Sequence, residues 1–218
     1  MNYLTLCDTL IKESGLNETG VLSVVDQTGL KKKVVNWVNR AWVAVQNKRD
    51  WNFLWQEGSF DTVVDSQTYD PVGDLALSPT LRRWDTSSFI HSTSGSSKFY
   101  LQHVPWENFD NTLSTSGTPT KFTIKPNKSI KFNSSPDVIG TVEFSYIRTP
   151  QTLSANTDVP LVDSAYHDII LYQAMLYLAA EQDAPELYQD ANMQLTARLA
   201  DLSAEFLPNT YVANTPLA

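Results

Sequence analysis

Residues 169–180 read Ile-Ile-Leu-Tyr-Gln-Ala-Met-Leu-Tyr-Leu-Ala-Ala, a run in which only Gln173 is polar. A surface helix needs one apolar stripe, so a helix that is apolar on every side must be enclosed. At ~1.5 Å per residue the run spans about 18 Å, well short of a ~30 Å bilayer core. Its flanks, Tyr166-His167-Asp168 and Glu181-Gln182-Asp183, are polar. The expectation is a wholly buried helix in a soluble fold with no membrane anchor. A second helix follows at once. Asp183-Ala184-Pro185-Glu186 reads as an N-cap with a capping-box glutamate, and Pro185 falls in the first turn, where its missing N–H costs nothing. Leu187, Ala191, Leu195, Leu199, Leu202 and Phe206 then form a single stripe. The enclosed helix asks for more neighbours than one small domain readily supplies, which predicts an oligomer.

Two helices open the chain. Tyr3, Leu6, Cys7, Leu10 and Ile11 repeat at three and four, and Gly15 follows as a stop. Cys7 sits on that stripe and reads as a small buried hydrophobe. From about Gly29 to Arg49, Leu30, Val34, Trp37, Val38, Ala41 and Val45 form a main stripe, while Val35 and Trp42 open a second apolar face. Trp51, Phe53 and Trp55 then alternate. Such aromatics either stack on a sugar or cover a core where a helix hands over to a sheet, and the second is the expectation here.

Short β-rich runs follow at Ser59–Val64, Lys98–Val104, Lys121–Lys125, Ser129–Phe132 and Thr141–Arg148, separated by turn residues. In the last run Val142, Phe144 and Tyr146 face one way and Thr141, Glu143 and Ser145 the other. The predicted class is α+β. Residues 1–55 and 156–206 make a discontinuous helical bundle, two helices from each end. Residues 56–155 form an inserted antiparallel β domain, with a return linker between Pro150 and Pro160. Residues 207–218 form an extended C-terminal arm.

Composition narrows the function classes. Of 218 residues, 42% are hydrophobic and 18% charged, and the net charge of −8 argues against a generic duplex-binding surface. One cysteine excludes an internal disulfide framework and a cysteine-based zinc site. The N-terminus lacks the basic start of a signal peptide, so synthesis in a cytoplasm is the plain expectation. No phosphate loop, dinucleotide fingerprint, nucleophile elbow or zincin motif occurs, and His91, His103 and His167 show no ligand spacing. No catalytic residue, cofactor or metal site is predicted. His167-Asp168, at the entry to the buried helix, reads as a hydrogen-bonding or capping pair. The charge is uneven. Residues 26–50 hold six bases, among them Lys31, Lys32 and Lys33, against two acids, whereas residues 160–218 hold eight acids and one base, Arg198. A basic helix and an acidic pair suit each other as neighbours, within one chain or between copies.

Several stretches together resemble the head–tail connector (adaptor, or head completion) proteins of tailed bacteriophages. They are YLTLCDTLIKESGL at 3–16, VVDQTGLKKKVVNWVNRAWVAVQNKRDWNFLW at 24–55, VPWENF at 104–109 and GTPTKFTI at 117–124. The longest, from SPDVIGTVEFSYIRTP to YQAMLYLA, covers 135–179, and DAPELYQDA follows at 183–191. The similarity extends from Tyr3 to about Phe206 and is poorest over 70–97. It implies a non-enzymatic virion protein of the neck. Such a protein forms a homo-oligomeric ring, commonly of twelve copies, beneath the portal protein. The ring extends a channel through which DNA passes without specific binding, and tail or nozzle proteins dock on it. On that reading Lys31, Lys32, Lys33, Val35 and Trp42 are expected at the subunit interface. Tyr211, Val212 and Leu217 of the arm are expected on the portal. The alternatives are a virion-associated cell-wall hydrolase using carboxylates of the β region, or a carbohydrate-binding β module with Trp51, Trp55 or Trp106 as platform.

Overall fold

A computed structural model of the chain describes residues 1–16, 19–78, 80–93, 98–110 and 115–207. It divides into two compact units, one of Met1–Leu54 with the chain from Pro150 onward, the other of Trp55–Thr149. The fold is α+β, with four helices in the first unit and the sheets in the inserted second.

In the helical unit, α1 (Tyr3–Glu13) buries the five residues of its predicted stripe, and Asn2 Oδ1 caps it by accepting from Thr5 N at 2.8 Å. α2 (Gly29–Asn47) buries both of its apolar faces. α3 (Asp168–Gln182) packs against α1, α2 and α4 (Pro185–Phe206) and buries Ile169, Ile170, Leu171, Gln173, Ala174, Met175, Leu178 and Ala179. Its enclosure is not complete. Tyr172 and Leu176 are half-buried and Ala180 is exposed. These three recur every four residues, so three helical neighbours leave one edge of α3 open.

The junction between α3 and α4 differs from the sequence reading. Asp183 is not an N-cap. It ends α3 in the left-handed region (φ 51°), and its N–H donates to Ala179 O. Ala184 takes the N-cap position without a side-chain bond, and Pro185 opens α4 as expected. Aspartate tolerates both roles, and a turn this tight needs the left-handed one. α4 buries Ala191, Leu195 and Leu202 on its predicted stripe and exposes most of its outer side. Arg198 fastens it to the first turn of α3, with Nε and Nη2 each 2.7 Å from Asp168 Oδ2.

The segment that returns from the insertion is stitched onto α2. Gln46, wholly buried, accepts from Gln151 N at 2.7 Å and donates to Gln151 O at 2.9 Å, as a neighbouring strand would. Trp42 Nε1 donates to Gln151 Oε1, and Asn39 Oδ1 accepts from Leu153 N. Further on, Asp158 O accepts from Tyr3 N at 2.7 Å, which ties the strap to α1.

In the β unit, β11 (Gly140–Arg148) is the organising strand. β1 (Trp55–Asp61) pairs with it along one edge, from Trp55↔Ile147 to Asp61↔Thr141. β4 (Ile90–Thr93) and β3 (Leu81–Trp84) share the other edge in succession, and β5 (Phe99–Tyr100) adds to β4. The chain then turns at Leu101 and enters a second sheet as β6 (Gln102–His103). There the order is β2 (Thr68–Tyr69), β9 (Ile130–Phe132), β8 (Lys121–Ile124), β6. β7 (Thr115–Ser116) pairs with β10 (Ser134–Ser135) in a small third ladder. The unit is not purely antiparallel, because β6–β8 and β7–β10 are parallel. β1 starts four residues earlier than predicted. Val63 and Val64 lie beyond it, exposed in the loop that comes next.

The core between the two sheets is aromatic. Phe60 meets Tyr69 at 4.8 Å between centroids, Phe89 meets Phe122 at 4.2 Å, and Trp84 meets Phe144 edge-on at 5.1 Å. The predicted alternation of β11 holds, with Val142, Phe144 and Tyr146 inward. Gly58 lies opposite Phe144, and a Cβ there would stand 2.8 Å from the ring, so only glycine leaves room for it.

Leu178→Asp should abolish the soluble folded chain. An unpaired buried charge costs several kcal/mol against a total of ~5–15. Leu176→Asp, on the open edge of α3, should keep a cooperative melt at lower temperature. Circular dichroism of the two variants side by side checks this.

Candidate assembly surfaces

Among the described residues no three histidines, cysteines or carboxylates cluster closely enough to hold a metal ion. His167 is buried at the start of α3 with Nε2 3.0 Å from Val162 O, the hydrogen-bonding role expected of it, and burial lowers its pKa. His91 is buried in β4 with neither ring nitrogen partnered, and desolvation again favours the neutral form. Burial pushes the Cys7 thiol up to about 12, far from a reactive thiolate. The carboxyls of Asp70 and Asp158 are held below their ordinary range. Gly73 and Val72 N–H groups do this for Asp70, and Ala155 and Ser154 N–H groups for Asp158. A catalytic acid needs the opposite shift.

Of the tryptophans weighed as a sugar platform, Trp51 offers no open face. Trp51 is wholly buried, donates from Nε1 to Val45 O at 2.9 Å and lies near-parallel to Phe53. Trp55 and Trp106 are each half-buried, on β1 and on the turn after β6. Among the described residues no helix is long and apolar enough to cross a membrane.

The residues expected at a subunit interface divide. Lys32 and Lys33 are exposed on the first turns of α2. Lys31 is half-buried, its Nζ donating to Thr19 Oγ1 at 3.1 Å. Lys33 pairs with Glu181, so basic α2 and the acidic end of α3 do meet within one chain. Val35 and Trp42 face inward instead. Tyr3 of α1 donates its hydroxyl to Val35 O, and Trp42 is fully enclosed, stacked 5.9 Å from Phe53 and bonded to Gln151. The second apolar face of α2 is therefore covered by α1 and the return strap. Among the described residues, surface left open includes the α3 edge and the outer side of α4, where Tyr188 and Met193 are exposed. Tyr211, Val212 and Leu217 lie outside the described residues.

The model of the family described as SU10 adaptor protein matches residues 1–216 of this chain. The chain belongs to that family. An SU10 adaptor is a bacteriophage structural protein, a component of the virion that contacts other phage structural proteins. No curated protein matches the chain in sequence. Membership speaks for a structural role and fits the geometry of this adaptor, whose buried histidines and cysteine are packed rather than poised.

Asp158 should make the adaptor acid-sensitive. Its carboxylate accepts from Ser154 N at 2.6 Å and Ala155 N at 2.8 Å, so its folded pKa lies below its unfolded one. The stabilisation is present above the unfolded pKa of ~3.9 and is lost as pH falls through the folded value. Thermal melts from pH 6 down to pH 2 should show this loss, and Asp158→Asn should reduce the dependence, with Asp70 keeping its own share, while lowering stability at neutral pH.

Proposed function

We propose that this chain is a head–tail adaptor of the phage neck. Copies of it form a ring beneath the portal, extend the DNA channel and present the docking surface for tail or nozzle proteins, with no catalysis of its own. The observation that carries this reading is the family match across residues 1–216. The surfaces of the helical unit support it. Open edges on α3 and α4 suit side-by-side packing, and a ring needs a heterologous interface in which two different patches meet. Exposed Lys48 and Arg49, just past the end of α2, and exposed Asp183, Glu186 and Asp190, around the start of α4, supply charged surface of both signs. An acidic chain lining a channel would let DNA slide past without sticking. The ring is commonly twelvefold in the proteins that the sequence resembles, and twelve is the proposed number.

The arm of residues 207–218 is proposed to dock on the portal. It carries no charged side chain and has two prolines, and Tyr211, Val212 and Leu217 are its anchors. An extended segment gains main-chain hydrogen bonds along a partner's surface and seats alternate side chains in pockets.

Negative-stain imaging of the chain mixed with its phage's portal should show an added ring layer, and portal rings left bare would overturn the proposal. Ending the chain at Leu207 should leave the melting curve unchanged and weaken portal binding, as read by co-sedimentation. Replacing Lys31, Lys32 and Lys33 together by glutamate should weaken ring assembly and also lower monomer melting, since Lys31 is bonded to Thr19 and Lys33 to Glu181, whereas Lys32→Glu alone should leave melting nearly unchanged. Assembly of the unaltered chain should fall with salt, since exposed charges are screened beyond about 8–10 Å.

A further inference from the structure

One cavity of the β unit has a chemistry that the ring proposal leaves unused. Its volume is about 510 Å³, within the usual range of ligand pockets. Arg82, Arg83, His103 and Lys128 line it against one acid, Asp85, and the Trp55 and Ile124 side chains supply apolar wall. Two of its donors are unmet. Trp55 Nε1 and Arg82 Nη1 are both buried without a hydrogen-bond partner. Leaving buried donors unsatisfied is costly, and a buried guanidinium N–H most of all, so the site is poised for an acceptor.

The wall is held in place rather than loosely draped. Trp84 Nε1 donates to Lys128 O at 2.8 Å, and Lys128 itself sits at positive φ (70°) in a turn closed by its N–H to Lys125 O. Ser129 N donates to Asn127 Oδ1 in the same turn. Asp85, whose Oδ1 accepts from Ser87 N and Oγ, offsets only one of the positive charges that line the recess. The cavity is therefore a positively charged recess with a fixed wall, on a chain whose net charge is −8.

We propose that this recess binds an acidic peptide segment of a partner protein. A small turn of the Trp55 and Arg82 side chains on binding would present Nε1 and Nη1 to a glutamate or aspartate carboxylate, and an adjoining aliphatic side chain would lie against the Trp55 ring and Ile124. The chemistry separates this ligand from two others. A neutral sugar carries no charge to balance Arg82 and Lys128. A nucleic-acid duplex presents its phosphates on a convex ridge that does not enter a recess, and the net charge of the chain repels it. The assignment rests on the β unit alone and is independent of ring formation.

The test is a tryptophan-fluorescence titration of the full chain with a capped five-residue peptide of alternating leucine and glutamate. Its glutamine counterpart, inorganic phosphate and a short DNA duplex serve as comparisons. The acidic peptide should bind saturably, the glutamine peptide about tenfold more weakly, because a charge-assisted hydrogen bond is lost. Arg82→Gln should weaken acidic-peptide binding by a similar factor, and Trp55→Phe, which keeps the ring but removes the N–H, by less. If Arg82→Gln does not fold, Lys128→Gln serves in its place, with melting curves as the control. Tighter binding of phosphate or duplex than of the peptide overturns the proposal. So does the absence of saturable binding, or binding that is unchanged in the variants.

Discussion

The helical unit depends on a joint between two stretches of chain far apart in sequence. An inserted domain has to be entered and left without opening the core that hosts it. Here the joint is polar and buried: one glutamine side chain, Gln46, satisfies both the N–H and the C=O of Gln151 across a separation of 105 residues. Each bond contributes only about 1 kcal/mol net, but an unmet backbone group in the same place would cost as much or more. With the strap fixed there, Leu153 is buried, Trp42 is roofed over and α1 gains its tie to Asp158. α3 can then enter the space between α1 and α2.

This joint lets the two units stabilise themselves by different means. The helical unit uses its apolar surface to enclose α3 and keeps charge on the outside, where Lys33 and Glu181 pair in solvent. The β unit packs aromatic rings between its sheets and leaves several of its bases around a recess. Aromatic rings bring large buried areas to a small unit, and edge-to-face pairs such as Trp84–Phe144 add specificity to that burial. Family membership spans both units, from residue 1 to residue 216.

Periodicity made much of this fold legible. The stripes of α1 and α4 and the alternation of β11 come from spacing alone, since geometry fixes which side chains share a face. Other elements carried no such signal. β3 and β4 have four residues each, too few for a pattern, and owe their existence to the free edge of β11. Asp183 was ambiguous because aspartate suits both an N-cap and a left-handed turn. Val35 and Trp42 were readable as a second apolar face, but spacing cannot tell a neighbour in the same chain from one in another copy. The Gln46–Gln151 joint and the meeting of Trp55 with Arg82 in one recess join residues distant in sequence. Nothing local announces them.

The passage of the chain through Leu101 has a mechanical consequence. Two sheets that merely press faces together can slide, because apolar contact resists separation far more than shear. In this β unit the chain crosses from the first sheet into the second, and the crossing is riveted on both sides: Leu101 N donates to Phe89 O, and Gln102 N to Thr120 O. Any sideways displacement of one sheet must break those bonds and drag the other with it. The inserted unit should thus resist shear as one block rather than deform as a pair of plates.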